Sequence, residues 1–305
     1  MQIISDTTEF HIDSPTAVAL GKFDGIHLGH RKLLECLLKV KERGLKTAVF
    51  TFDPSAAVYF GTAKKEITLR DDKRRIFEEL GIDILVEYPL NADTAAILPR
   101  DFIEKVLLRK LSMSYIACGS DVSFGYRGEG NAELLVRAGR EYGFEVEVIE
   151  KLFLDGKEVS SSLLRQALSD GDTRLAERIL GEPYRITGKV ETGRRLGRKL
   201  GFPTMNIYPD PARLLPGFGV YGTQTHFDGT TYPGLTYVGI RPTVTNERRP
   251  GIETFLFDFD TDMYGKTITV AFLEFVRPEM TFGSLEELRR QMLADLRYLR
   301  EKQVD

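Results

Sequence analysis

Residues 21–30 read Gly-Lys-Phe-Asp-Gly-Ile-His-Leu-Gly-His, and this stretch decides the fold of the first half of the chain. It lies between a short apolar strand pattern, Thr16–Leu20, and a helical pattern that opens at about Leu28. The two histidines are three residues apart, so on a first helical turn they lie on one face with the free N–H groups of that turn. Two imidazoles, a glycine that allows close approach and the positive end of a helix indicate a phosphate-binding turn. Two surface histidines in a polar loop are the simpler alternative.

Strand and helix patterns alternate outward from this stretch, over residues 16–150. The predicted strands cover residues 16–20, 47–52, 82–86, 115–118 and 144–149. Three of the predicted helices cover residues 28–44, 99–111 and 132–142. Another helix follows a capping box of Thr68 and Asp71 and ends near Gly81. Strands separated by helices indicate a parallel, doubly wound sheet, in which ligands bind beyond the carboxyl ends of the strands. The pair of histidines lies at such an end.

The pattern changes after about residue 150. Asp155-Gly156 predicts a hairpin turn, and two short helices are predicted over residues 160–168 and 172–180. Gly181-Glu182-Pro183 then breaks the helical pattern. We therefore expect two domains, covering residues 1–182 and 183–305.

Residues 184–278 are rich in Gly, Thr, Tyr, Phe and Val and have no helical period. They predict an antiparallel sheet or small barrel, with a hairpin at Asp228-Gly229 and long strands over residues 252–259 and 267–275. A capping box of Ser284 and Glu287 opens a final helix that runs to about Lys302. Four apolar residues of this helix are expected to face the barrel: Leu288, Met292, Leu296 and Leu299.

The composition limits the possible partners and compartments. The net charge of −3 gives no overall basic field for nucleic acid. No apolar run approaches the roughly 20 residues that span a bilayer, and the first residues lack the pattern of a signal peptide. Cys36 and Cys118 are the only cysteines, have no zinc-type spacing and are expected to be buried apolar residues. We expect a cytoplasmic protein with no membrane or nucleic-acid partner, and the oligomeric state stays open.

Two further segments of the first half carry residue types that bind phosphate. Residues 119–128 form a glycine-rich loop directly after a predicted strand. Ser160, Ser161 and Ser162 open a predicted helix and are followed by Arg165. Hydroxyls and free N–H groups can hold phosphate oxygens there, and the arginine can neutralise a leaving pyrophosphate. A surface turn and ordinary N-capping are the simpler alternatives.

Together these segments resemble the nucleotidylyltransferases, whose signatures are His-x-Gly-His and a later Ser-Ser/Thr-x-x-Arg-type motif. The longer string of residues 21–30 resembles the flavin adenylyltransferase module of the bacterial bifunctional riboflavin kinase/FAD synthetases. The resemblance implies AMP transfer from ATP to FMN by direct attack of the FMN phosphate, with His27, His30 and Arg165 as catalytic residues that stabilise charge. The nucleotide-binding residues that it implies are Gly21, Phe23, Asp24, Gly25, Gly29, Asp121, Gly125, Ser160, Ser161 and Ser162.

The second half resembles the riboflavin kinase of the same family. Residues 188–206 resemble its glycine flap and Pro-Thr-Ala-Asn motif, and residues 219–222, 239–243, 253–258 and 264–265 resemble later kinase segments in order. By this resemblance Thr204 would hold Mg²⁺ with the ATP phosphates, Asn206 would line that site and Glu253 would be the base for the ribityl hydroxyl. The other implied binding residues are Gly188, Gly193, Gly197 and Pro203.

We therefore expect an α/β protein with an N-terminal doubly wound nucleotidylyltransferase domain. A C-terminal antiparallel β-barrel riboflavin kinase domain with a terminal helix should follow it. Its substrates would be the small molecules riboflavin, FMN and ATP, with Mg²⁺ as the cofactor that accompanies ATP.

Four departures from the family pattern stand out. Lys22 replaces the usual Asn, Ser55 follows Pro54 where the family has His, Ser162 replaces Thr, and Met205 replaces Ala. The first three fall in the adenylyltransferase half.

Several alternatives remain open at this stage. By itself, Glu253 could be an outward-facing charge, and residues 204–206 could be a turn after Pro203. The basic residues between positions 194 and 199 could form a solvated loop or bind RNA. The whole chain could be a kinase with a decayed adenylyltransferase domain, or a regulatory protein that uses that domain as a scaffold.

Overall fold

A computed structural model describes residues 1–62, 65–192, 201–242, 248–259 and 261–302 of the chain. The chain forms two compact units, Met1–Ser161 and Ser162–Asp305. The fold class expected from the sequence is confirmed, because a parallel α/β sheet is followed by an antiparallel sheet and a terminal helix. The domain boundary between residues 182 and 183 stays a prediction.

The first unit contains a six-stranded parallel sheet with the order β1-β4-β3-β2-β5-β6. Its strands are β1 Gln2–Ser5, β2 Thr16–Leu20, β3 Lys46–Asp53, β4 Ile84–Pro89, β5 Met113–Gly119 and β6 Glu145–Ile149. From β2 the chain builds the sheet in one direction through β3 and β4, and then in the other through β5 and β6. The switch point therefore lies between β2 and β5, and ligands of such sheets bind at the carboxyl ends of the strands there.

Helices cover both faces of this sheet, as a doubly wound fold requires. They are α1 Leu28–Lys41, α2 Ala56–Tyr59, α3 Arg70–Glu79, α4 Ala92–Ala95, α5 Pro99–Asp101 and α6 Ala132–Tyr142. Because side chains alternate along a strand, Val18 packs into one core with Phe102, while Ala19 packs into the other with Leu37 and Phe77. Cys36 and Cys118 are both buried, as expected, and burial raises the pKa of each thiol to about 11.

Two helix predictions need correction. The helix predicted over residues 99–111 is the short α5 followed by a π-helix, Phe102–Leu108. The predicted capping box of Thr68 and Asp71 is absent, because the N-cap of α3 is Leu69 and has no side-chain cap. The Thr68 hydroxyl instead accepts a hydrogen bond of 3.1 Å from the backbone N–H of Gly25. The Thr68 side chain, which the local pattern assigns to the helix cap, therefore forms a tertiary contact with the turn at Gly25.

The predicted hairpin at Asp155-Gly156 is confirmed between β7 Phe153–Leu154 and β8 Lys157–Glu158. The two predicted short helices are also present, as α7 Ser161–Ser169 and α8 Thr173–Leu180. In the second unit α8 packs against β9 and β14 of the antiparallel sheet.

That antiparallel sheet has six strands in the order β10-β13-β12-β11-β14-β9. They are β9 Tyr184–Lys189, β10 Thr204–Ile207, β11 Gly219–Phe227, β12 Thr230–Pro242, β13 Arg248–Leu256 and β14 Thr267–Pro278. The predicted hairpin at Asp228-Gly229 joins β11 to β12. A bridge between Glu191 and Asn206 connects the chain after β9 with β10, so the two ends of the sheet approach each other.

The terminal helix, α9 Leu285–Lys302, lies on this sheet. The Ser284 hydroxyl accepts a hydrogen bond from the N–H of Glu287, whose carboxylate accepts one from the N–H of Gly283, which confirms the predicted cap. Leu299 is buried with Val220 and other residues of the sheet, and Leu296 packs against the same cluster. Leu288 and Met292 are only partly buried.

Candidate active sites

The first site is the turn between β2 and α1, at the switch point of the parallel sheet. Its backbone is held in unusual conformations, with φ of +51° at Phe23, +91° at Gly25 and +42° at Ile26. Phe23 and Ile26 are nonetheless almost completely buried. The Asp24 carboxylate accepts hydrogen bonds from the backbone N–H groups of Ile67, at 2.9 Å, and Thr68, at 3.2 Å. Burial and these bonds fix the strained turn, which is typical of a functional site.

The two histidines stack on each other at the start of α1. Their ring centroids are 3.8 Å apart with an angle of 19° between the planes. His27 is the N-cap residue and is only 7% exposed, and no side chain caps the helix there. A Cβ at Gly29 would lie 3.2 Å from the His27 ring, so the glycine leaves space for the stacked pair. Among the described residues, neither Nδ1 atom has a hydrogen-bond partner although both are buried.

Both imidazoles are neutral near pH 7. Burial lowers the pKa of His27 to about 4, against the opposing effect of the nearby carboxylates of Asp24 and Asp121. Burial lowers the pKa of His30 well below its usual value, and the charge of Lys73, with that of His27 when it is protonated, lowers it further. A neutral imidazole carries one N–H donor. The turn therefore offers preorganised donors to an anion, with little water around them.

Ser161, the first residue of α7, contacts this turn directly. Its hydroxyl donates a hydrogen bond of 2.6 Å to the backbone carbonyl of Asp24. Two of the sequence segments predicted to converge are thus joined within the first unit. Ser160 is partly buried, Ser162 is exposed, and Arg165 lies on α7 and is partly exposed.

The glycine-rich loop follows β5, the neighbour of β2 across the switch point. Its Asp121 is exposed, and its charge acts on His27. Gly125 has a φ of +70°, and a Cβ there would lie 2.8 Å from the Pro99 Cα. This glycine is therefore required by close packing against the start of α5, and its role in nucleotide binding stays a prediction.

Sequence reasoning missed an ion-pair cluster near the carboxyl ends of β3 and β4. Glu87 is 3% exposed and accepts hydrogen bonds from the guanidinium groups of Arg70, at 2.8 Å, and Arg74, at 3.0 Å. Arg70 also pairs with Asp53 at 3.0 Å. Burial alone would raise the pKa of Glu87, but the bonds from Arg74 and Arg70 lower it below its usual value. The sequence feature that could have predicted this cluster is Glu87, the one carboxylate in the otherwise apolar strand β4.

The second site lies on β10 and β13 of the antiparallel sheet. Asn206 and Glu253 are directly opposite each other in the register of these strands. The Thr204 hydroxyl donates a hydrogen bond of 2.6 Å to Glu253 Oε1. Pro203 and Thr204 line a small cleft, together with Tyr264 of the Tyr-Gly segment. The structure thus joins three predicted kinase residues that are up to 49 positions apart.

Part of the glycine flap is described. Gly188 lies on β9, where a Cβ would approach Ile207 Cγ2 to 2.2 Å, so packing against β10 requires a glycine there. Gly193 and Gly197 lie outside the described residues, as do the basic positions 194–199.

The four departures have distinct environments. Lys22 and Ser162 are exposed. Ser55 is the N-cap residue of α2 but its side chain forms no cap bond. Met205 is buried in the sheet between the two polar residues of its strand.

A doubly wound sheet with a histidine pair at a helix N-terminus defines the nucleotidyl-transfer class, and here a β-barrel-like unit follows it. The FAD synthetase family profile matches residues 9–163, and the riboflavin kinase profile matches residues 180–302. The chain belongs to the family of bifunctional riboflavin kinase/FMN adenylyltransferases, and it is accordingly a riboflavin kinase and FAD synthetase.

Curated proteins named bifunctional riboflavin kinase/FMN adenylyltransferase match nearly the whole chain. The protein of Escherichia coli (strain K12) is 36% identical over 91% of this chain and 90% of its own length. The protein of Bacillus subtilis (strain 168) is 33% identical over 97% of this chain and 96% of its own length. The protein of Listeria monocytogenes is 32% identical over 95% and 93% respectively.

A solved structure from Streptococcus pneumoniae also matches, with a TM-score of 0.85, 26% identity and 98% coverage of both chains. That protein is described as a macrolide-efflux protein. In the present chain, no helix of the described segments has the length and apolar character needed to cross a membrane.

Proposed function

We propose that FMN adenylylation takes place at the histidine turn of the first unit, and riboflavin phosphorylation at Glu253 of the second unit. The observation that carries the first assignment is the stacked pair of neutral imidazoles, whose buried Nδ1 atoms have no partner among the described residues. Buried polar groups are normally satisfied, so these atoms point to a ligand with hydrogen-bonding oxygens.

In adenylylation, His27 and His30 would hold the α-phosphoryl group of ATP and stabilise the charge that develops on its oxygens. Neutral imidazoles suit this role because each donates a hydrogen bond without losing its proton. No nucleophile of the chain is required, since the FMN phosphate attacks and pyrophosphate leaves. Ser161 would support the turn through the Asp24 carbonyl, and Arg165 would neutralise the leaving pyrophosphate.

The other residues predicted for this site would act mainly through the backbone. Gly21, Gly25 and Gly29 would leave room for phosphate at the turn, while Phe23 and Asp24 fix its shape. Asp121 and the neighbouring glycine-rich loop would contact the nucleotide from the other side of the switch point.

In phosphorylation, Glu253 would accept the proton of the ribityl hydroxyl as that oxygen attacks the γ-phosphoryl group of ATP. Thr204 donates a hydrogen bond to this carboxylate, which orients it. Asn206, opposite Glu253, would fix the substrate or nucleotide by hydrogen bonds.

The hydroxyl oxygen of Thr204 fits a Mg²⁺ ion that arrives with ATP, because such an ion takes one or two protein oxygens and keeps phosphate and water ligands. Bound there, it would neutralise charge on the transferred phosphoryl group. Among the described residues no group of three histidine, cysteine or acidic side chains forms a metal site by itself.

We further propose that the substrates meet the enzyme in the cytoplasm, where riboflavin, FMN and ATP are available. The division into residues 1–182 and 183–305 is proposed as the division between the two activities. A kinase with a decayed first domain remains the second candidate, but the intact pair of stacked histidines favours an active adenylyltransferase.

A time course tests the assignment. Purified protein is incubated with riboflavin, ATP and Mg²⁺, and riboflavin, FMN and FAD are separated. Wild type should form FMN and then FAD. His27→Ala or His30→Ala should form FMN at the normal rate but FAD about 10²–10³-fold more slowly, the typical effect of one preorganised donor. Normal FAD formation by the double variant would exclude the histidine turn as the site.

A further inference from the structure

One cation on α3 differs from its neighbours. Arg70 and Arg74 pair with Glu87, and Arg75 pairs with Glu79. Lys73 is half-buried on the same helix, yet among the described residues it forms no ion pair or hydrogen bond with any side chain. A cation that has no carboxylate partner within the protein remains available to an anionic ligand.

The packing of α3 brings Lys73 to the histidine turn. Phe77, one helical turn after Lys73, packs edge-on against Phe23 with ring centroids 5.5 Å apart. Phe23 in turn lies against His30, at 5.1 Å. Residues four apart share a helix face, and side chains lean toward the helix N-terminus. Lys73 therefore lies on the face of α3 that meets the turn, on the side nearer Asp24.

The anchoring of α3 supports the same placement. The segment just before the helix binds the turn through three hydrogen bonds, two to the Asp24 carboxylate and one from the Gly25 N–H. The helix start is thus fixed relative to the histidines by bonded contacts. The Lys73 charge is also close enough to act on the partly buried His30 ring.

We propose that Lys73 contacts a phosphoryl oxygen in FMN adenylylation and supplies the positive charge that the two neutral histidines lack. This rests on the proposed function of the histidine turn. ATP and FMN bring several negative charges together there, and imidazole N–H groups offset them only through dipoles. The carboxylates whose charges act on His27, those of Asp24 and Asp121, would repel those phosphates, so a cation beside them is needed to offset the repulsion.

Three variants of the full chain test this role. Lys73→Met keeps the length and apolar contacts of the side chain but removes its charge, and Lys73→Arg keeps a charge. Arg75→Met is the matched control, because Arg75 lies on the same helix, is about half exposed and pairs with Glu79. For each variant we would measure FAD formation from FMN and ATP, both KM values, and the inhibition constant of inorganic pyrophosphate.

Lys73→Met should lower kcat/KM for adenylylation by roughly 10–10²-fold, in the range of one lost charged donor, and Lys73→Arg should recover part of it. Arg75→Met should match wild type. Riboflavin phosphorylation in the same preparation should be unchanged in all three, which shows that the chain is folded. An increase in the KM for ATP and in the pyrophosphate inhibition constant would place Lys73 on the ATP phosphates. An increase only in the KM for FMN would place it on the FMN phosphate.

Unchanged adenylylation and unchanged pyrophosphate inhibition in Lys73→Met would overturn the proposal. A change in the His30 pKa alone, followed by NMR, would overturn it too, since it would show only an electrostatic effect on the ring. If His27→Ala and His30→Ala kept normal FAD synthesis while Lys73→Met lost it, the histidine assignment would fail and the role of Lys73 would stand.

Discussion

At the scale of single residues, burial controls the chemistry of the histidine turn. His27 is almost completely buried and His30 is partly buried, so their protonated forms are disfavoured and both rings are neutral. The Nδ1 atoms of both rings are buried and have no hydrogen-bond partner among the described residues. A site that is dry and preorganised in this way stabilises charge more strongly than an exposed one.

The pKa of His27 has a consequence for stability. It lies at about 4 in the folded chain against 6.5 for an ordinary histidine, so between these values the unfolded chain binds more protons. The free energy of unfolding should therefore fall as the pH is lowered from 6.5 toward 4, by up to about 1.4 kcal/mol per pH unit from this residue. Denaturant titrations of wild type and His27→Gln across this range measure the effect. Equal slopes for the two proteins would contradict the burial of an ionisable His27.

Glu253→Gln tests the second site at the same scale. The variant keeps the shape of the side chain and can still bond to Thr204, but it cannot accept the substrate proton. Riboflavin phosphorylation should fall by roughly 10²–10⁴-fold, the usual effect of a lost general base. FMN adenylylation, measured with added FMN, should be unaffected. An equal loss of both activities would indicate unfolding or a single shared site.

At the scale of elements, buried polar pairs fix two helices to their sheets. Arg70 and Arg74 of α3 are held by the buried Glu87 of β4. In the second unit, Asp295 of α9 is 3% exposed and pairs with Arg277 of β14 at 2.9 Å. Such pairs add little net stability but make it costly to remove one partner.

Removal of one partner on α9 gives a direct test. Asp295→Ala leaves the largely buried Arg277 without a carboxylate, so we expect a loss of about 3–5 kcal/mol in the unfolding free energy of the second unit. The matched control is Arg300→Ala on the same helix, which removes the exposed pair with Asp258, with an expected change below about 1 kcal/mol. Chemical denaturation followed by circular dichroism measures both. Similar losses for the two variants would show that the buried pair does not hold α9 in place.

At the scale of the whole molecule, the helix α8 decides how the second unit folds alone. Ala176 and Ile179 of α8 are buried, and the Thr173 hydroxyl donates to the Leu273 carbonyl at 2.9 Å. The predicted boundary at residues 182 and 183 separates this helix from the sheet that it covers, whereas the compact unit begins at Ser162.

Two fragments test this organisation. Residues 183–305 should fold and phosphorylate riboflavin, because they contain the six-stranded sheet and α9. Residues 162–305 should have the same activity but unfold at a higher denaturant concentration, since α8 removes apolar surface from water. Equal midpoints would mean that α8 contributes nothing to the unit. If residues 183–305 were insoluble while residues 162–305 were active, the boundary of the kinase unit would lie at Ser162 and the prediction of residues 182 and 183 would be wrong.

The sequence by itself determined the local features of both halves. The alternation of strands and helices, the hairpin turns at Asp155 and Asp228 and the cap at Ser284 depend on residues a few positions apart. The pairing of His27 with His30 belongs to the same group, because a spacing of three on a helix start fixes their common face. For such features the interacting groups are neighbours in the chain, so the pattern alone contains the contact.

Only the tertiary structure decided which distant groups meet. The Thr68 hydroxyl accepts a hydrogen bond from the Gly25 N–H and does not cap α3. Glu87 accepts hydrogen bonds from two arginines of α3, and Thr204 donates one to Glu253 on the neighbouring strand. Each contact depends on strand register and on how a helix docks on its sheet, which many weak apolar contacts determine together. The residue types suggested the chemistry, but docking selected the partners, because a side chain binds whichever group the packed fold places within reach.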